Sequence, residues 1–203
     1  MKNFIGVHKT EEEQEDQIKN WWKENGIQII GGVVIGIAGI WGWDYYQNHT
    51  YAQSIEARDL YLDFSVNNNS STFQNLSENF SDSSYQDEAR LLLAKNQIKN
   101  FDESRNTLLS VSNSSSNKYL ANLAKIRLAK LYINNDNLSE AETILNKLND
   151  ESYKGLKLYM QAQISEKKND LSSAKNLYEE SLKNLSEESG LKNLIRLKVA
   201  DLN

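Results

Sequence analysis

The sequence predicts an all-α protein in which one N-terminal transmembrane helix is followed by a solenoid of helical hairpins. Three observations carry this expectation. A single apolar island interrupts a chain whose mean hydropathy is −0.66. No proline occurs among 203 residues and Leu, Ala, Lys and Glu dominate the periodic stretches, with no alternating strand pattern. The C-terminal part resembles itself at an offset of 33 residues.

The island "IQIIGGVVIGIAGIWGW" runs from Ile27 to Trp43, and with Asp44, Tyr45 and Tyr46 it reaches 20 residues, close to the roughly 20 needed to cross about 30 Å of hydrocarbon as a helix. Trp21 and Trp22 precede it, and Trp41, Trp43, Tyr45 and Tyr46 close it. At about 1.5 Å per residue the two aromatic groups stand roughly 28 Å apart, the separation of two interfacial belts. A soluble core helix needs a polar stripe, yet the only polar side chain here is Gln28, at the end. A cleavable signal needs a short basic start and small residues at its cut site; this chain leads with Glu11, Glu12, Glu13, Glu15 and Asp16 and exits through bulky rings. The island therefore reads as a retained anchor, residues 26–46. Lys9, Lys19 and Lys23 lie on its N-terminal side, against Arg58 alone in the first 20 positions after Tyr46. That bias places the N-terminus in the cytoplasm and the C-terminal region across the membrane.

Within the span Gly32, Gly36 and Gly39 recur at i, i+4 and i+7 and include a GxxxG, a helix-packing face against a second copy or another span. The same glycines also fit the ordinary abundance of glycine in membrane helices. Residues 1–25 read as a cytoplasmic tail with a short amphipathic helix. Thr10 to Glu13 forms a capping box that starts it, and Ile18, Trp21 and Trp22 give it an apolar face for the membrane surface. Asn25-Gly26 is expected to break or bend the chain into the span. The acidic run reads as a solvated helix face near a helix N-terminus.

Residues 47–203 are enough for one domain with its own core. "YLANLAKIRLAKLYINNDNLSEAETILNKL" from Tyr119 and "YKGLKLYMQAQISEKKNDLSSAKNLYEESL" from Tyr153 each give an apolar-striped helix, an Asn/Asp turn and a second helix. Ala129 and Ala141 are 12 apart, as are Ala162 and Ala174. Small residues there let the two helices of a hairpin approach, and no hairpin buries its stripe until another stacks on it. The offset is close to the roughly 34-residue tetratricopeptide unit. An earlier copy from Tyr85 has Ala94 and Ser104 only 10 apart, which reads as a shortened turn at Lys99 to Ser104. Ser54 to Phe64 continues helical from the membrane, Phe73, Leu76 and Phe80 mark another short helix, and Leu191, Leu194, Ile195, Leu197 and Val199 mark a last helix over the open end. "SVNNNSS" and "SVSNSSSNK" read as loops.

The search for chemistry returns mainly exclusions. Without cysteine there is no disulfide, thiol nucleophile or thiolate metal site. His8 and His49 fall on opposite sides of the span, so no paired-histidine metal site or Ser/His/Asp constellation forms within one chain. Carboxylates are scattered over helix surfaces, and no Gly-rich phosphate loop lies outside the span. The chain is thus expected to be non-enzymatic, with no catalytic residue, no metal and no cofactor; an anchored enzyme would require a buried polar cluster in a pocket. A pI near 5.2 and a net charge of −5 give no basic footprint for nucleic acid.

"IKNWWKENG", the Gly-rich span ending "GWDYYQNHTYAQS", and "YLANLAKIRLAKLYINNDNLSEAETIL" together resemble the YfgM family of bacterial inner-membrane proteins, from about Gln17 onward. The family consists of ancillary subunits of the SecYEG translocon. The resemblance implies a single-pass inner-membrane protein with a cytoplasmic N-terminus and a periplasmic tetratricopeptide-like domain. It implies as partners the translocon, a PpiD-like membrane-anchored chaperone, exported polypeptides and membrane lipid, with a role in handing exported chains onward. A scaffold of another envelope assembly, in cell division or outer-membrane biogenesis, would share the architecture and change the partner. The longer acidic tail, the Asn/Ser-rich loop before Tyr119 and the first repeat's spacing depart from the family. Tyr132, Tyr159 and Tyr178 are partner-binding candidates along the repeat groove, at positions that equally suit the interior of helix hairpins.

Overall fold

The computed structural model describes residues 11–202. Among them every regular element is helical. α1 (Glu11–Asn67) is followed by α2 (Ser70–Asn79), α3 (Ser84–Asn96), α4 (Phe101–Ser114), α5 (Lys118–Asn134) and α6 (Leu138–Asn146). After a 3₁₀ turn at Glu151–Tyr153 come α7 (Lys154–Lys167), α8 (Leu171–Asn184) and α9 (Leu191–Asp201). The all-helical class is as the periodicity predicts. The chain divides into two compact units, one up to Ile55 and one from Glu56 onward.

Among its described residues the first unit is helix alone. Its first turn carries Glu11, Glu12 and Glu13, where the partial positive charge of a helix N-terminus favours carboxylates. The expected capping box rests on Thr10 and lies outside the described residues. The expected break at Asn25-Gly26 does not occur: α1 runs through it. Asn25 Nδ2 donates to the Trp21 carbonyl at 2.9 Å, one turn back, so the side chain reinforces the helix instead of interrupting it. Gly26 is buried beneath the Trp22 indole. A β-carbon there would meet the ring at 3.1 Å, so the glycine is room for the ring and not a hinge.

The second unit contains the repeats. α3/α4, α5/α6 and α7/α8 are three antiparallel hairpins, each in contact with the next, and α9 lies against α8. Three apolar clusters fill the stack. One joins the last turns of α1 to α2 and α3 through Ala57, Phe64, Leu76 and Ala89. The largest runs from α3 to α7 around Leu108, Leu128, Leu145 and Ile164. The third seats α9 through Ile195 on Ala162, Ala174 and Tyr178. The small-residue register holds in all three hairpins: Ser104, Ala141 and Ala174 are each the fourth residue of a second helix, and all are buried.

The first repeat's short spacing has a different cause from the one the sequence suggests. Its turn, 97–100, is longer than those at 135–137 and 168–170. What shortens the interval is α3 itself, which ends two residues after Ala94, whereas α5 and α7 end five residues after Ala129 and Ala162. Ser104 Oγ donates to the Ala94 carbonyl at 2.9 Å in the buried crossing. The Ser/Asn-rich stretch before Tyr119 is also mostly helix: α4 continues to Ser114, because Val111 is fully buried and extends the stripe from Leu108. Ser112 and Ser114 donate back to the Leu109 and Ser110 carbonyls, which lets serine sit in a helix.

The second and third turns share a mechanism. Asp136 and Asn169 have φ of 57° and 61°. Each ends its helix with a paired cap: Asp136 N–H bonds to Ile133 and Asn137 N–H to Tyr132, then Asn169 to Glu166 and Asp170 to Ser165. Asn tolerates this left-handed backbone better than a residue with a plain β-carbon. Asn169→Ala is expected to cost about 1 kcal/mol and Asn169→Gly to be neutral or stabilising, read as opposite shifts of the urea unfolding midpoint.

Candidate interaction surfaces

Along the apolar run, residues 27–43, the side chains stand exposed around the whole helix, Ile35 at 73 % and Ile40 at 69 %, so this segment, part of the one described helix long and apolar enough to cross a membrane, is not the core helix of the described fold. A β-carbon added at Gly32, Gly36 or Gly39 would meet nothing within 4 Å. These glycines therefore form a bare, smooth stripe with no ruffle of side chains between the helix backbone and whatever approaches it. The aromatic rings that follow interlock along the helix, Trp43 with Tyr46 and Tyr45 stacked on His49, each pair 6.2 Å between centroids.

In the repeat unit the three tyrosines singled out from the sequence have different fates. Tyr178 is fully buried and Tyr132 nearly so; Tyr132 meets the edge of Phe101. Both rings lie inside the stacked hairpins, where large side chains fill the interior. Tyr159 alone keeps part of its surface, with its ring 5.9 Å from Tyr178.

Tyr178 anchors a polar cluster that ties three helices together. Its hydroxyl donates to Glu166 Oε2 on α7 at 2.7 Å, and Lys198 Nζ on α9 donates to Glu166 Oε1 at 2.7 Å. Burial, then the bond to Glu166, pushes the Tyr178 hydroxyl well above the ordinary phenol range. Partial burial works against ionising Glu166, but the bonds from Lys198 and Tyr178 outweigh it and hold the carboxyl below its usual range. The Glu166 bond in turn raises Lys198, against its own desolvation. The Glu166 contribution is present above its unfolded pKa and is lost as pH falls through the folded one. The Lys198 contribution is present below its unfolded pKa and is lost as pH rises through the folded one. The clasp on α9 thus holds between these limits. Glu166→Gln is expected to cost about 1 kcal/mol at neutral pH, a partly exposed ion pair plus one hydrogen bond. The gap to the parent should close as pH falls below the ordinary carboxylate range and through the lowered Glu166 value, which urea unfolding across pH measures.

Gly155 and Ser181 form another close crossing, between α7 and α8. Ser181 Oγ donates to the Gly155 carbonyl at 2.7 Å, fully buried, and a β-carbon on Gly155 would stand 2.8 Å from both the Asn184 carbonyl oxygen and Leu185 Cγ. Sequence reading passed over this pair; the signal was an isolated glycine inside a helical pattern.

For chemistry the surface offers little. Among the described residues no group of three or more His, Asp or Glu side chains is placed to hold a metal. A cleft of about 270 Å³ between α6 and α7 is lined by Leu148, Asp150, Glu151, Lys154 and Lys157. An open hollow of about 500 Å³ between α8 and α9 is lined by Glu179, Lys183, Glu187 and Lys192. Asp63, Glu166, Asp170 and Glu187 are all held ionised by bonds from neighbours, the reverse of the raised carboxyl that a general acid requires.

A family model described as a tetratricopeptide repeat-like domain matches residues 19–203. A curated relative from Haemophilus influenzae, named "Ancillary SecYEG translocon subunit", is 30 % identical over 186 residues, covering 86 % of this chain and 90 % of the relative. One of the same name from Aggregatibacter actinomycetemcomitans is 28 % identical over 183 residues with the same coverage. No solved structure matches.

Proposed function

We propose, on the premise that this chain belongs to the YfgM family of tetratricopeptide repeat-like proteins, that it is a membrane-anchored adaptor of the SecYEG translocon. The observation that carries this reading is the relative whose likeness extends over both the span and the repeats, and whose name is that of a translocon subunit. The finer reading is single-pass topology with the tail in the cytoplasm and the repeats in the periplasm. There the domain passes exported polypeptides to a PpiD-like anchored chaperone by protein contacts and without catalysis. The exposed apolar run and the lysine bias around it support that topology. Tethering raises the concentration of the repeats beside a membrane-embedded partner, so weak contacts suffice.

Photocrosslinking of the intact protein in native bacterial membranes tests the partner. Enrichment of translocon and chaperone peptides is expected; their absence beside a different envelope complex would replace this reading with a scaffold of that assembly. For the span, Gly32→Leu with Gly36→Leu is expected to reduce helix association in membranes at least fivefold, about 1 kcal/mol. Unchanged association would remove the glycine face from the interaction.

A further inference from the structure

The two aromatic girdles of the apolar run differ in charge. At its N-terminal end Trp21 and Trp22 stand between Lys19 and Lys23, with Glu24 next. At its C-terminal end Trp41, Trp43, Tyr45, Tyr46 and Tyr51 surround Asp44 in the sequence, and the next lysine or arginine after Lys23 is Arg58. The Arg58 guanidinium already faces Asp59 at 2.9 Å. Segments that take anionic headgroups do so with lysine and arginine beside the membrane. This end supplies neither; it supplies rings and one carboxylate.

Three of the rings enclose space. Trp43, Tyr46 and Tyr51 line an open hollow of about 460 Å³ together with Gln47, Asn48 and Thr50. Trp43, Gln47 and Thr50 stand at i, i+4 and i+7, one face of the helix, and the Trp43 and Tyr46 rings lie 6.2 Å apart between centroids. All three rings are well exposed, so packing within the fold does not use their surface. Asn48 joins the hollow to the charge: its Nδ2 donates to Asp44 Oδ2 at 3.1 Å. Thr50 Oγ1 donates to the Tyr46 carbonyl at 2.6 Å, which commits that proton to the helix. The hollow is thus walled by π-systems, bordered by a negative charge and lined by no cation.

We propose that this end of the span holds a phospholipid whose headgroup ends in a primary ammonium, the cation lying against the Trp43, Tyr46 and Tyr51 rings and donating to Asp44. An ammonium over aromatic rings is attracted by their quadrupole, more strongly where water is scarce, and a carboxylate beside it adds a charge-assisted hydrogen bond. The inference rests on the membrane-anchored reading of α1 and gives the anchor a lipid preference. Charge complementarity selects the occupant: a headgroup with negative charge alone would meet Asp44 with no cation to offset it.

Native mass spectrometry of the full-length protein released from detergent micelles tests this with two lipids of identical dioleoyl chains, phosphatidylethanolamine and phosphatidylglycerol. The ethanolamine lipid is expected to bind at least fivefold tighter. Asp44→Asn, which keeps the shape and removes the charge, is expected to abolish that preference, and Trp43→Leu with Tyr46→Leu to weaken the ethanolamine lipid at least fivefold. Trp21→Leu with Trp22→Leu, at the other girdle, should leave the preference unchanged. Circular dichroism confirms that each variant keeps its helicity. Equal binding of the two lipids, tighter binding of the glycerol lipid, an unaltered preference in Asp44→Asn, or equal losses from the two girdle variants would each overturn the proposal. Retention of the parent protein in membranes after alkaline carbonate, alongside such a result, would leave the anchor standing and remove only its lipid preference.

Discussion

Gly155→Ala is expected to destabilise the repeat domain by about 3 kcal/mol, the upper range for overpacking a tight contact. The added β-carbon would lie 2.8 Å from the Asn184 carbonyl oxygen and 2.9 Å from its carbon. These are backbone atoms at the end of α8 and cannot rotate aside as a side-chain tip can. Moving α8 away stretches the buried Ser181–Gly155 hydrogen bond and loosens the cluster in which Tyr178 and Ile195 sit. Gly190→Ala is the matched control, since a β-carbon there meets nothing within 4 Å and the backbone already has φ of −57°. It should change stability by less than about 0.5 kcal/mol, as surface substitutions do. Urea unfolding of the intact protein in detergent separates the two. Equal midpoints would mean that the α7–α8 crossing is slack.

Val34→Arg with Ile37→Arg is expected to expel the anchor from the bilayer. Each arginine near the middle of a membrane helix costs about 3 kcal/mol on insertion scales, so the pair shifts the equilibrium by about 6 kcal/mol, more than ten-thousandfold. Both positions are exposed in the folded chain, at 59 % and 48 %, so the substitutions leave protein packing untouched and act on the lipid environment alone. The readout is the fraction extracted from membranes by alkaline carbonate. Full retention of the double variant would refute the span between Ile27 and Trp43, and with it the tethered adaptor. The conservative pair Val34→Leu with Ile37→Leu should remain integrated.

How much was legible in the sequence follows from the range over which each interaction acts. The repeat boundaries came from Ala129, Ala141, Ala162 and Ala174, because small residues at a helix crossing are a local, periodic requirement that each hairpin states for itself. Composition misled at Ser110–Ser114, where serines with no helical preference are carried into a helix by one buried valine. It misled also at Asn25-Gly26, a turn-forming pair in most settings, which here accommodates an indole. The tyrosines show the same limit from the other side: Tyr132, Tyr159 and Tyr178 occur in similar helical patterns, and only neighbours distant in sequence decide that Tyr178 is enclosed and Tyr159 half open.

By itself the amino-acid order determined that this chain is helical throughout its periodic parts, that one segment is uniformly apolar over the length of a membrane crossing, and that hairpins recur along the rest. Backbone hydrogen bonding and side-chain polarity act over a few residues, so they can be read locally. The tertiary structure alone decided which side chains the stacked hairpins enclose, that Glu166 clasps α9 through Lys198, and that Gly155 marks a crossing without spare room. Those outcomes depend on groups tens of residues apart being brought within a few ångströms, a condition that no short stretch of sequence encodes.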